Sequence, residues 1–367
     1  MAIGLVSGII GPLIPLVKEE VALTYQQSGL LLSSTFIGTL PTLLVGGYIS
    51  DKIGHKNFIL VGSGFLITGL IGGLISSGYY FLLISLIIIG IGFAIYEISI
   101  NALFVGLAGR NKGHEMNLLH FFFGIGAITA PILIIIFRNF SWRYVFLIVA
   151  LFPLLVAIIL YNKDISVKQN DNEKQNQIII YKQPILWLCG FIMFFYVGLE
   201  VSIYGWLPTY WEQTAVNSII AAPLTATIFW SSLTAGRLLI GKLADHFGYV
   251  KYLLLTVLIL CTSSFIWWLL PGQITTLMIA LLLGFSLAGI FPIVMLLANE
   301  SFQGNSGKVT AFVNIFVALG GLLIPAYIGR LADSFQIRIL PITIFLLTCL
   351  LLIIVFFTNN YQKNLLK

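Results

Sequence analysis

Long apolar runs alternate with short polar or glycine-bearing breaks along almost the whole chain. A helix crossing the roughly 30 Å hydrocarbon core of a bilayer needs about 20 apolar residues, because lipid offers no partner to an open backbone. Read with that window, the chain predicts helical spans at 3–17, 27–49, 57–76, 80–108, 113–137 and 142–161. A polar stretch containing KQNDNEKQNQ follows, and then a second set at 184–208, 217–243, 250–270, 274–299, 306–331 and 337–358. The first span is short and begins at Met1 with no basic flank or small-residue cleavage site, so it does not read as a signal peptide. A start about ten residues upstream would complete it.

Composition narrows the class. Of 367 residues, 59% are hydrophobic and 9% charged, against roughly 25% charged in soluble chains. This chain cannot coat a water-exposed globule, which excludes an ordinary soluble enzyme, a disordered protein and a small disulfide scaffold. The net charge is +6, but the basic residues are strung out singly and form no face for nucleic acid. With twelve spans and the 162–183 loop placed inside, 13 of the 19 Lys and Arg fall on the loop side. Lys18, Arg138, Arg143, Arg330 and Arg338 fall outside, and Arg237 lies within a span. The positive-inside rule then puts both termini in the cytoplasm of a multi-pass protein of the cell (plasma) membrane. Cys189, Cys261 and Cys349 lie far apart in apolar runs and read as packing residues, with no metal or redox spacing.

One offset recurs between the halves. Gly47, Asp51 and Gly54 reappear 194 residues later as Gly241, Asp245 and Gly248. The same shift carries Gly11 onto Gly205, Gly90 onto Gly284, His120 onto Asn314, Gly126 onto Gly320 and Pro131 onto Pro325. A register held across four span pairs indicates a tandem duplication: a first six-helix bundle at 1–161, a cytoplasmic linker at 162–183 and a second bundle at 184–367. In parallel repeats of this kind, substrate sites lie near the bilayer midplane between the halves.

The loop after the second span resembles the signature of the major facilitator superfamily, G-x-x-x-D-R/K-x-G-R-R/K, through Gly47, Asp51, Lys52, Gly54 and Lys56, with His55 at one basic position. The second copy keeps Gly241, Asp245 and Gly248, but has His246 at the basic position and its next lysine, Lys251, one place late. The resemblance covers essentially the whole chain. It implies an all-α membrane protein of twelve transmembrane helices in two pseudo-symmetric six-helix bundles, the major facilitator fold. Asp51 ends its own helix, where the dipole disfavours an anion, and would be stabilised by the positive N-terminus of a neighbour. The resemblance names those neighbours: the start of the eleventh span for Asp51 and of the fifth for Asp245, latching the cytoplasmic side shut. The alternative for Asp51 is a solvated loop charge.

Five segments, GIGFAIYEISINALFVG, NLLHFFFGIGAITAP, FFYVGLEVSIYGWLPTYW, FSLAGIFPIVMLLANE and ALGGLLIPAYIGRLAD, are similar to the fucose, galactose and glucose proton-symporter branch. Glu97 and Asn101 match its E-x-x-x-N pattern, and Tyr196, Gly198 and Glu200 its Y-x-G-x-E pattern. The fucose type carries an acid on the first helix where this chain places Gly11.

Ionisable groups inside spans are costly and mark function by default. Glu97 lies near the middle of the fourth span with Asn101 one turn on. A carboxyl there can exchange a proton when water enters, or it can ligate a sugar directly. Tyr196, Glu200 and Tyr204 repeat at one-turn spacing, a stripe suited to sugar hydroxyls and C–H faces; Trp206 and Trp211 continue it or anchor the interface. His120, with Asn117 on the same side, is an inner-gate residue or a proton relay. Arg237 pairs with a carboxylate or carbonyls in the inner gate, the alternative being an anionic substrate.

Glu97 and Glu200 are thus the proton-coupling candidates. Glu97, Asn101, Asn117, His120, Tyr196, Glu200, Tyr204 and Asn314 are the substrate-binding candidates. Gly47, Asp51, Lys52, Gly54, Lys56, Arg237, Gly241, Asp245 and Gly248 form the gating set. Gly284, Gly289, Pro292, Gly320, Gly321 and Pro325 supply bending and close packing. No HExxH, P-loop or complete GxGxxG occurs, and neither catalytic residues nor a metal or cofactor are expected. The reading is a monomeric secondary transporter taking up a sugar-like solute with a proton. The alternatives are a proton-antiporting exporter of a drug or metabolite, and a membrane sensor or scaffold without transport.

Overall fold

The computed structural model describes residues 1–107, 112–163, 180–215, 218–302 and 305–365; for 101–107, 112–120, 240–247, 306 and 364–365 it describes the backbone alone. The described residues contain helices and no strand. The first six are α1 (Ala2–Val21), α2 (Tyr25–Ile53), α3 (His55–Leu74), α4 (Tyr79–Leu107), α5 (Lys112–Phe137) and α6 (Tyr144–Tyr161). After a 3₁₀ turn at Ile180–Lys182 come α7 (Pro184–Thr214), α8 (Ala222–Phe247), α9 (Tyr249–Leu269), α10 (Gln273–Leu287), α11 (Ile290–Ser301), α12 (Ser306–Phe335) and α13 (Leu340–Leu365). Joined end to end, α10 and α11 make a single tenth crossing, Gln273–Ser301. Ten crossings meet the length and hydropathy of a membrane span among the described residues, and α5 and α8 complete twelve.

The predicted spans fall on these helices, with three differences. First, α7 continues through Pro208 to Thr214, where the sequence reading ends it; a membrane helix tolerates proline when neighbours satisfy the freed backbone. Second, α8 starts at Ala222, later than expected, just before Pro223, whose fixed φ and absent N–H suit a first turn. Third, the tenth crossing breaks at Ala288 and Gly289, because Pro292 cannot bond back into the helix before it.

The 194-residue relation is visible in the packing. Gly54 and Gly248 both make the turn into the next helix in a conformation open to glycine, with φ/ψ of 83°/145° and 80°/146°. Any side chain at Gly90 would run into the Thr35 carbonyl, and any at Gly284 into the carbonyl of Phe229, the repeat mate of Thr35. Gly38 packs on the Ile87 carbonyl, and Ser232, its mate, donates to the carbonyl of Leu281, the mate of Ile87. Across the centre, Gly11 of α1 abuts Tyr204 and its own mate Gly205 on α7.

The first six helices pack on one another, α3 against α4 and α6, and α1 against α5; in the second set α8 packs on α10, α9 on α13 and α7 on α12. The most extensive pairings that join the sets are α2 with α12, α5 with α8, and α1 with α7. The α2/α12 contact runs from Tyr25 beside Asp333, through Gly29 against Pro325 and Gly329, to Phe36 against Gly321. Beyond that point α2 turns to its own set, with Gly46 against Ile98 and Phe58. The two sets are thus closed together at the end carrying Glu20 and Asp333. There, Glu20 accepts from Trp142 Nε1 at 2.7 Å and from Arg143 Nη2 at 2.7 Å, while Arg143 Nε donates to the Ser76 carbonyl. The outward belt is apolar and exposed, as at Leu155, Ile158, Phe356 and Phe357, which suits lipid.

Candidate functional site

Helix α7 supplies the centre of the site. Tyr196, Glu200 and Tyr204 lie on one face of it, as their spacing requires. Glu200 stands 14 residues before Thr214, and Arg237 on antiparallel α8 stands 15 after Ala222, which puts them about 21 and 22 Å from the closed end. They meet: Arg237 Nη2 lies 3.8 Å from Glu200 Oε1, with side chains 18% and 12% exposed. In α7, which runs on past Pro208 to Thr214, Glu200 thus lies at the middle of the crossing, with Arg237 at its level.

At 3.8 Å the pair makes an ion contact without a hydrogen bond. Tyr196 is fully buried beside both charges, yet its hydroxyl completes no hydrogen bond among the described residues. The Arg237 guanidinium also lies 5.9 Å from the centroid of Phe123, a residue of α5 in the other set. Phe123 meets Trp230 edge-on at 5.8 Å, and Trp230 lies 5.0 Å from Tyr204. Trp230 is 2% exposed, and its indole N–H has no partner among the described residues. The break in the tenth crossing places Phe291 6.2 Å from Tyr196. Buried polar groups are normally satisfied, so an orphan hydroxyl beside an ion pair, with an orphan indole N–H about two turns along α8, suits a polar ligand.

Phe123, Trp230 and Phe291 were not singled out from the sequence. Each sits in an aromatic-rich apolar helix, and only the relative rotation of the helices separates them from lipid-facing neighbours. Trp206 and Trp211 are not interfacial anchors: both are buried, donating to the carbonyls of Pro325 and Ile220.

Glu97 stands apart from the pair. On α4, Ile95 packs on Gly62 and Tyr96 bonds Ser63, both on α3, while Ile98 packs on Gly46 of α2. Glu97 therefore points away from α2 and α3, and it has no hydrogen bond or ion pair among the described residues. The side chains of Asn101, Asn117 and His120 lie outside the described residues. Asn314 is not beside Glu200. Phe316 packs on Gly190 and Ile324 on Gly198, which sets Asn314 about three turns further from the closed end; its Oδ1 is buried without a partner among the described residues.

Of the gating residues, Gly54 and Gly248 form the turns described above. Gly47 has open space where a side chain would stand, and so makes no close helix contact here. Asp51 and Lys52 are exposed, and Asp51 has no partner among the described residues. Lys56 donates to the Tyr161 carbonyl at 3.3 Å. The side chain of Asp245 and the packing of Gly241 lie outside the described residues.

Twelve crossings in two related sets, with charged and unpartnered polar groups held at mid-depth between them, define a polytopic carrier. Residues 1–325 match the model of the Major Facilitator Superfamily, and the chain belongs to that family. It is a multi-pass membrane transporter for a small-molecule substrate and not an enzyme. It is 25% identical over 341 residues to the glucose/mannose transporter GlcP of Bacillus subtilis (strain 168), covering 89% of this chain and 84% of that one. Its fold is similar to that of a D-xylose-proton symporter, with a TM-score of 0.81 at 14% identity, over 97% of this chain and 94% of that one. FucP in the outward conformation is 20% identical but has a TM-score of only 0.65, over 97% of each chain.

Proposed function

We propose that the protein takes up a sugar or similar small polar solute together with a proton, by alternating access of two rigid bundles around the Glu200 site. The observation that carries this is the Glu200–Arg237 contact at mid-crossing, with the unpartnered Tyr196 hydroxyl beside it and the Trp230 indole about two turns along α8. Hydroxyls of a sugar supply donors and acceptors for such groups, and its C–H faces suit Trp230, Tyr204 and Phe123. The likeness to GlcP and to the xylose symporter supports the same substrate class. With the positive-inside orientation, the closed end is extracellular and the Asp51 end cytoplasmic. The closed extracellular end and the poorer superposition on FucP in the outward conformation support reading the structure as inward-facing.

Glu97 and Glu200 are the carboxyls available for the proton. Gly11 abuts Gly205, so the first helix offers no acid at that position. One proton moved down 100 mV supplies about 2.3 kcal/mol, enough for roughly fifty-fold accumulation. The test is uptake into proteoliposomes across sugars, amino acids and organic anions, with and without an inward proton gradient. Sugar accumulation that needs the gradient is the expected result, with Glu97→Gln retaining exchange between equal pools but losing accumulation. Uptake driven by organic anions and abolished by Arg237→Lys would overturn the sugar assignment. The missing acid on the first helix and the aromatic lining also suit proton-antiport export; solute leaving against the proton current would establish that reading instead.

A further inference from the structure

Asp333 lies in the last turn of α12, where its negative charge faces the negative end of its own helix dipole. Its carboxylate is used elsewhere. Oδ1 accepts from the Tyr25 backbone N–H at 2.7 Å and Oδ2 from that of Gln26 at 3.0 Å. These are the first two residues of α2, which belongs to the other bundle. Thr24 Oγ1 accepts the third N–H, that of Gln27, at 3.1 Å, and Gln27 Oε1 accepts from the Thr24 N–H in return. The opening turn of α2 is thus capped jointly by its own threonine and by a carboxylate from the opposite half. No acidic residue of α2 itself occupies that turn.

We infer that Asp333 is a gating residue of the transport cycle: it locks the extracellular gate by capping α2 across the bundle interface, and it must let go for the carrier to face outward. Helices α2 and α12 run antiparallel. At one end the C-terminal acid of α12 caps α2; at the other, Asp51 near the C-terminus of α2 is the acid expected to reach the start of α12. The same pair of helices therefore carries a reciprocal latch at each end. Rocking closes one as it opens the other, and here the Asp333 latch is engaged, while Asp51 makes no hydrogen bond or ion pair among the described residues. The repeat mate of Asp333 is Asn139, without charge, so the α5/α8 interface lacks this device.

This inference rests on the carrier reading, but its test needs no substrate. In the full-length chain in liposomes, Cys189, Cys261 and Cys349 are replaced, and spin labels are placed at Phe140→Cys and Ile219→Cys, exposed on extracellular loops of the two bundles. Double electron–electron resonance reads their separation. Asp333→Ala is expected to raise the long-distance, outward-open fraction about fivefold. Asp333→Asn keeps the acceptor, loses the charge and falls between. Arg330→Ala, exposed on the same helix, matches the parent. An Asp333→Ala distribution identical to the parent, or an equal shift in Arg330→Ala, overturns the latch. A latch that shifts as expected in a chain that moves no solute overturns the carrier reading instead.

Discussion

Removing one member of the Glu200–Arg237 contact should cost more stability than removing both. At 3.8 Å and an effective dielectric of about 20, two unit charges attract by about 4 kcal/mol. Both side chains are less than a fifth exposed, so solvent screens little of this, but no hydrogen bond orients the pair to offset its desolvation. A coupling energy of about 2–3 kcal/mol is therefore expected. Glu200→Gln leaves a guanidinium whose remaining neighbours are the Phe123 ring and the Tyr196 hydroxyl; Arg237→Met leaves a carboxylate beside tyrosines. The double variant carries neither charge.

The assay is thermal unfolding of the purified protein in detergent, run as a double-mutant cycle. Each single variant should melt several degrees below the parent, and the double variant should recover most of the loss. Additivity of the two single effects to within about 0.5 kcal/mol would refute the pairing. Flux measured on the same proteins separates structure from coupling. A double variant that is as stable as the parent, yet exchanges solute without accumulating it, places proton coupling in the pair.

Three further outcomes follow from the geometry. Gly29→Leu wedges the closed end, because even a methyl there would stand 2.8 Å from the Pro325 carbonyl oxygen and 3.1 Å from the Gly329 Cα; overpacking of about 1–3 kcal/mol should trap the carrier outward-facing, read as solute binding without flux. Gly54→Ala and Gly248→Ala should each destabilise by about 1–3 kcal/mol and by similar amounts, since the two turns share one conformation; unequal melting losses would count against equivalent repeats. Trp230→Phe keeps the aromatic contacts but removes the unpartnered N–H, and should raise the half-saturation constant for the transported solute about tenfold; an unchanged constant removes Trp230 from the site.

The helices were legible because crossing lipid imposes a length and a polarity that each segment must meet alone. The same reasoning explains what was missed. Pro208 looked like the end of a span, but the aromatic residues beyond it, Tyr210 and Trp211, are buried, and that packing carries α7 another six residues. Gly289 and Pro292 were recognised as pliable, yet a full break depends on how α11 seats against its neighbours, as where Gly289 backs onto the Tyr252 ring. Cys261 and Cys349 read as unrelated packing residues, and α9 and α13 bring their sulfurs to 3.5 Å.

Charge in a span announces its own cost but not the group that offsets it. Glu200 and Arg237 were each conspicuous, and nothing in the 36 residues between them fixes the rotation of α8 against α7. That rotation is set by apolar packing, the burial of Phe229, Trp230 and Leu233, which leaves Arg237 only one direction to face. The Asp333 cap was harder to see, because an aspartate at the polar end of a span reads as ordinary. It becomes informative only when the N–H groups that donate to it are found on the first turn of a helix 307 and 308 residues away. In this chain the residues that a single helix must explain are readable from sequence, whereas those that tie one bundle to the other require the two bundles to be placed together.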